Sequence, residues 1–185
     1  QDFRGRMKPL DTLARETAVK ITKRTRFEGR EPVEVFLGFV VHPQAWYHHP
    51  TIHVKNPGVQ DLLGVSHETH HVSLASLLSG GGYKLQDVVE QAHRTSADKR
   101  NKTQQKLILF DERVHILYGA LQGSSLRIFP VPDDPDNTWQ DIKTVLEGMS
   151  ESDPRRAEFQ SAADAFISGL KQNNNAQIRE GARLI

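Results

Sequence analysis

Apolar residues recur at intervals of three and four positions along much of this chain, the spacing expected for one buried face of an α-helix. The pattern is clearest over residues 100–122, where Leu107, Phe110, Val114 and Leu117 follow one another at helical spacing. The helices predicted to supply the core are residues 11–24, 85–96, 100–122 and 154–171. Their periodicity indicates amphipathic helices that pack together through their apolar faces.

Strand signals are few and short. Residues 125–131 alternate apolar and polar positions and form the best strand candidate, with residues 51–55 as the expected partner. Two more helices are predicted at 32–42 and 139–149, the first opening with Pro32, whose missing N–H is harmless in a first helical turn. The sequence therefore predicts a mainly α fold with a small β element, in an irregular helical domain.

Composition favours one soluble unit over residues 1–185, because the apolar and charged fractions are ordinary for a globular domain. A formal net charge of +1 gives no strong field for nucleic acid, so no nucleic acid partner is expected. Basic residues cluster at 20–30 and 99–106, which is typical of solvated helix faces. The alternative is contact with a membrane surface, where each basic residue contributes about 1 kcal/mol.

The chain contains no cysteine, which excludes disulfides, thiolate nucleophiles and thiolate metal sites. This composition suits an oxidising compartment, although many cytosolic domains share it. The longest apolar run, residues 35–41, is far shorter than the roughly 20 residues that span a bilayer.

The opening segment predicts an extended arm over residues 1–10, because Gly5 and Pro9 interrupt regular structure. Asp11 or Thr12 is expected to cap the helical body that follows, residues 11–185. The motif in this segment consists of Gly5, Arg6, Lys8, Pro9, Asp11 and Thr12. It resembles the extracytoplasmic domain of bacterial cytochrome c biogenesis proteins of the ResB/CcsA-type membrane haem lyase family. Further similar stretches lie at residues 31–37, 56–58, 92–95, 100–103 and 126–132.

The resemblance implies an extracytoplasmic domain from a larger membrane protein, located on the periplasmic side of a bacterial inner membrane. Its implied role is that of a scaffold or partner-binding module in haem delivery or attachment. The implied partners are the membrane-embedded part of the same protein, apocytochrome c and the membrane surface. No catalytic residue is predicted and no catalysis is expected from the isolated domain, whose parent resembles a haem lyase. The resemblance implies no cofactor in the isolated domain and allows haem in the full-length protein.

Histidines supply the candidate chemistry, because neutral imidazole ligates transition metals and haem iron. His48, His49 and His53 lie beside Trp46 and Tyr47, and an aromatic surface with an axial imidazole is what haem binding requires. These three histidines are the haem candidates. The family's tryptophan-rich haem motif is absent, which favours instead an aromatic turn with exposed histidines.

A second histidine pattern runs from His67 to His71. With Glu68 it reads H-E-x-x-H, the zinc-protease pattern, in which two histidines four apart on a helix bind metal beside a glutamate base. Gly64 and Ser73 indicate a turn or short strand here, and no third ligand is evident, so we expect no tightly bound zinc. A metal-dependent hydrolase using these residues, and a periplasmic interaction module unrelated to haem, remain the alternative functions.

Overall fold

The computed structural model describes residues 7–79, 82–131, 134–136, 138–172, 174, 176, 177 and 179. Within them the fold is mainly α with a small β element, as predicted. The helices are α1 (Leu10–Thr22), α2 (Pro32–Val41), α3 (Pro43–His48), α4 (Pro57–Leu63), α5 (Leu74–Leu77), α6 (Gln86–Arg94), α7 (Lys102–Leu121), α8 (Ile142–Gly148) and α9 (Pro154–Gln172). The strands are β1 (Ile52–His53), β2 (His71–Val72), β3 (Leu78–Ser79), β4 (Gly82–Tyr83), β5 (Phe129–Pro130) and β6 (Trp139–Gln140). Gly5 and Arg6 of the predicted arm lie outside the described residues.

The start of α1 differs from its prediction. The residue that precedes the helix is Pro9, whose carbonyl accepts the Leu13 N–H at 3.1 Å, and no side chain caps this end. Asp11 and Thr12, the predicted caps, lie inside the first turn. A carboxylate in that position still stabilises the helix, because the first-turn N–H groups carry partial positive charge.

The core is formed mainly by α1, α2 and α7, which pack against one another. Its largest fully buried side chains include Phe36 and Phe39 of α2 and Phe110 and Leu117 of α7. The prediction that α9 belongs to the main core, and its omission of α2, were wrong. α9 buries only small residues, Ala162, Ala163 and Gly169, apart from the main cluster.

The strands form three antiparallel two-stranded ladders, β1–β2, β3–β4 and β5–β6. The predicted pairing of residues 125–131 with 51–55 was wrong. β1 pairs with β2, placing Ile52 opposite Val72 and His53 opposite His71. β5 pairs with β6, in a segment where the sequence predicted the beginning of a helix. That helix starts later, at Ile142, because the Asp141 carboxylate accepts N–H groups of the first turn.

Helices α6 and α7 form a hairpin that is closed by one side chain. Arg100, in the connection, donates from Nε to the carbonyls of Ala92 and Thr95 at 3.0 and 2.9 Å. It thereby satisfies carbonyls at the end of α6 that have no partner within the helix. α7 then begins with a capping box in which Asn101 and Gln104 exchange side-chain and backbone bonds.

No helix within the described part of the chain combines the length and the apolar character needed to cross a bilayer.

Candidate functional site

A tight turn between α1 and α2 places an aromatic ring at the candidate site. Phe27 and Arg30 exchange backbone hydrogen bonds at 3.1 and 3.0 Å. The two residues between them, Glu28 and Gly29, have φ values of 51° and 80°. Positive φ at both central positions is the geometry of a type I′ turn. The turn directs Phe27 inward, where its side chain is buried.

Five rings follow one another in contact around this phenylalanine. In order they are Trp46, His49, Phe27, His71 and His53, which we call the histidine–aromatic row. The successive centroid separations are 5.1 Å, 5.9 Å, 5.3 Å and 5.4 Å. The two contacts of Phe27 with histidine are edge-to-face, the favourable arrangement for rings with negative faces and positive edges.

The β1–β2 ladder brings two members of the row together. His53 and His71 are directly opposite one another in the register, so their side chains are neighbours on one face. The loop that leads into β2 is held by the buried Gln60, which donates to the carbonyls of His67 and Thr69 at 3.1 and 2.8 Å. A side chain of α4 thus fixes the position of β2.

The His71 ring has a defined tautomer. Its Nε2 lies 2.9 Å from the Thr22 carbonyl oxygen, which can only accept, so Nε2 carries the proton. In the neutral ring the lone pair is then on Nδ1. The hydrogen bond also joins the row to the end of α1.

His53 remains neutral at physiological pH. Burial, together with the smaller effects of the neighbouring His71, Arg113, His70 and Arg24, lowers its pKa to about 4. The guanidinium of Arg113 on α7 donates to the His53 backbone carbonyl at 2.9 Å, and this bond keeps its positive charge near the His53 ring. The row therefore ends in an imidazole that stays uncharged and retains a ring lone pair.

The opposite end of the row is flanked by charged side chains. Nε2 of His49 lies 3.2 Å from a Glu28 carboxylate oxygen. The Arg30 guanidinium lies 5.8 Å from the Trp46 ring centroid, in a cation–π contact. A cleft of about 390 Å³ opens here between α2 and α3, with Trp46 and His49 among its lining. At this end the largely buried Trp46 and the half-buried His49 lie beside groups of both charges.

The structure separates the predicted haem candidates. His49 and His53 both belong to the row, whereas the exposed His48 packs against Tyr47 with centroids 5.0 Å apart. Among the described residues no ring contact connects His48 to the row. The aromatic turn predicted around Trp46 is instead the helix α3.

The H-E-x-x-H pattern does not lie on a helix. His67 is in a turn, with Nε2 2.7 Å from Asp61 Oδ1, while His71 is in β2 and bonds Thr22. Glu68 is exposed in the same turn. The two imidazoles therefore face different partners, although the spacing would join them on a helix. Within the described residues, no group of three or more histidine and carboxylate side chains is placed to hold a metal ion.

Two functional neighbours were missed at the sequence level. Phe27 and His71 complete the row, yet Phe27 lies in a turn and His71 was assigned to the wrong pair. The Glu28-Gly29 dipeptide was the available signal for the turn, since glycine adopts positive φ readily. Of the family-like motif, the described part forms a local clasp, in which Lys8 forms an ion pair with Glu16 of α1.

No family model matches the chain. A curated protein does match it: the chain is 35% identical over 147 residues to Protein NrfI of Wolinella succinogenes. The chain is similar to part of NrfI. The matched region covers 78% of this chain but 16% of NrfI, so the chain spans only a small part of the length of this curated relative.

Proposed function

We propose that this chain is the extracytoplasmic part of a bacterial cytochrome c maturation protein, in which it acts as a partner-binding scaffold. The similarity to NrfI carries this proposal and supports a role in cytochrome c maturation generally. The narrower assignment, to the ResB/CcsA-type membrane haem lyases, rests on the N-terminal motif. On this proposal the domain lies on the periplasmic side of the inner membrane and is not catalytic by itself.

The partners that follow from the proposal are apocytochrome c, the membrane-embedded part of the same protein and the membrane surface. We assign the histidine–aromatic row to the first of these. The half-buried histidines of the row and the neighbouring cleft, which Trp46 and His49 line, suit contact with the aromatic and apolar side chains of an unfolded polypeptide. The proposal allows haem in the full-length protein and expects this domain alone to hold haem weakly or not at all.

A maturation assay in the full-length parent protein tests the function. His49→Asn together with His71→Asn should reduce the amount of haem-stained cytochrome c, while the parent protein remains at its normal level by immunoblot. The matched control is His48→Asn with His67→Asn, which removes two histidines that lie outside the row. An equal loss of haem-stained cytochrome c in both double variants, or no loss in either, would contradict the assignment of apocytochrome binding to the row.

A haem titration tests the scaffold role. Ferric haem added to this chain should give no saturable Soret change with one-to-one stoichiometry. If such binding appears and is abolished by His49→Ala or His53→Ala, but not by His48→Ala, the domain is a haem carrier and the scaffold role is wrong.

A peptide assay tests partner binding directly. A fluorescent peptide that contains C-x-x-C-H, the attachment site of c-type haem, should bind to this chain. A scrambled peptide of the same composition is the control. Equal affinity for both peptides would contradict recognition of apocytochrome at the attachment site.

A further inference from the structure

A second cleft lies on the far side of His53, between α7, β1 and the start of α4. Its volume is about 300 Å³, at the lower end of the ~300–1,000 Å³ that small-ligand sites occupy. The floor is apolar and is formed by Val54, Val59 and Phe110, whose side chains are otherwise buried. The apolar floor distinguishes this cleft from an ordinary solvated surface.

Three cations converge on the cleft from separate parts of the sequence. Lys106 and Arg113 lie on one face of α7, and Lys55 follows β1. The lining includes no aspartate or glutamate. Within the described residues no carboxylate forms an ion pair with any of the three, and the nearby Glu112 pairs with Lys20. The lining histidine, His53, is neutral, so the lining carries a net positive charge, which Glu112 offsets only in part at Arg113.

A further cation, Lys23 at the end of α1, interacts with Arg113. Burial lowers the pKa of Lys23, and the positive charges of Arg113 and Lys20 lower it further. Burial also lowers the pKa of the Arg113 guanidinium. The repulsion between Lys23 and Arg113 is unfavourable, and an anion bound at Arg113 reduces it.

The walls of the cleft are fixed. Gly58, in the first turn of α4, touches Thr103 of α7 so closely that a Cβ at position 58 would lie 2.4 Å from Thr103 Oγ1. Arg113 is held in place by its hydrogen bond to the His53 carbonyl. That bond uses Nη1 and leaves the other guanidinium nitrogens available to a ligand. A preformed site of this kind loses little conformational freedom on binding.

We propose that this cleft binds an amphiphilic anion, whose carboxylate or phosphate group contacts Lys55, Lys106 and Arg113 and whose apolar body lies on Val54, Val59 and Phe110. The same chemistry occurs in a free organic acid and in the headgroup region of an anionic phospholipid. In either case the anionic group neutralises the positive charge of a lining that has no carboxylate, and the apolar body covers the floor. The site is separate from the cleft beside Trp46.

The test is a calorimetric titration of this chain with octanoate, which carries a carboxylate on an apolar chain. Octanol supplies the same chain without the charge, and inorganic phosphate supplies charge without the chain. Octanoate should bind saturably and more tightly than either, and the binding should weaken as salt is raised. The lipid source is tested in parallel with vesicles of phosphatidylglycerol against vesicles of phosphatidylcholine.

A double variant locates the binding site. Lys55→Gln with Lys106→Gln should weaken binding of octanoate, or of phosphatidylglycerol vesicles, by roughly 10-fold or more. Both lysines are exposed, so the fold should be retained. The matched control is Lys84→Gln with Lys143→Gln, which removes the same charge from exposed positions outside the cleft lining.

Each outcome decides the proposal. Cleft-dependent binding of octanoate supports a free anion as the source, and cleft-dependent binding of phosphatidylglycerol vesicles alone supports a lipid headgroup. Three results would overturn the proposal. Octanol could bind as tightly as octanoate, the two double variants could weaken binding of the anionic probe equally, or neither anionic probe could bind saturably. None of these outcomes depends on haem or on apocytochrome.

Discussion

A methyl group added at Gly38 should test the packing that supports the histidine–aromatic row. Gly38 lies within α2, and Trp46 of α3 packs directly on it. A Cβ at position 38 would be 2.5 Å from Trp46 Nε1, closer than side-chain carbons pack. The indole cannot move freely, because it also contacts Phe39 at 4.9 Å and His49 at 5.1 Å between ring centroids.

Two opposing terms set the magnitude of the effect of Gly38→Ala. Replacing glycine by alanine within a helix favours the folded state by about 0.5–1 kcal/mol, because alanine loses less backbone entropy. Forcing an extra carbon into a packed interior costs about 1–3 kcal/mol. Since Trp46 is enclosed on several sides, we expect a net destabilisation of about 1–2 kcal/mol.

Urea unfolding followed by circular dichroism measures the free energy of unfolding. The matched control is Gly148→Ala, at the end of α8, where an added Cβ meets no atom within 4 Å. That variant should be stabilised by about 0.4–1 kcal/mol. In a Trp139→Phe background, Gly38→Ala should also shift the fluorescence of Trp46. If both alanine variants are stabilised equally, with no shift in fluorescence, the packing argument is wrong.

Three more predictions concern stability. Leu117→Ala should lower the free energy of unfolding by about 2–5 kcal/mol, because Leu117 is fully buried in the core; a loss below about 1 kcal/mol in urea would contradict this. Stability should fall as pH falls from about 6.5 towards about 4, because His53 takes up a proton more readily in the unfolded chain, and His53→Gln should flatten that slope. Asn101→Ala should cost about 1 kcal/mol by removing the cap whose Oδ1 accepts the Gln104 N–H at 2.8 Å, whereas unchanged thermal stability would show that the cap contributes nothing.

Helix periodicity predicted much of the fold, because it depends on neighbours along the chain. The extents of α1, α6, α7 and α9 agree with their predictions to within a few residues. The role of α2 was misjudged since it is apolar on nearly all sides. It therefore shows little contrast between faces, although such a helix belongs in a core. The predicted strand pairing was wrong because the ladders β1–β2 and β5–β6 each join separated segments of the chain through only two residues a strand. Two residues are too few to show the alternation of apolar and polar positions that identifies a strand.

The candidate site was partly predictable for a similar reason. His49 and His53 were identified from local clustering, and both belong to the row. His71 was paired with His67 on the assumption of a helix, but His67 lies in a turn and His71 in β2, so the helical spacing of four does not bring the two rings to one face. Phe27 was missed because its position depends on positive φ at Glu28, a residue type that seldom adopts it.

The hydrogen bonds of the Arg100 side chain have a consequence for the order of folding. These bonds tie the connection that precedes α7 to the end of α6 across only a few residues of chain, so the entropy lost in closing that loop is small. The β1–β2 ladder, by contrast, needs α4 and its following loop to be in place before His53 and His71 can meet. The α6–α7 hairpin is therefore expected to protect its amides from hydrogen exchange early in refolding, and the histidine–aromatic row should assemble afterwards on that framework.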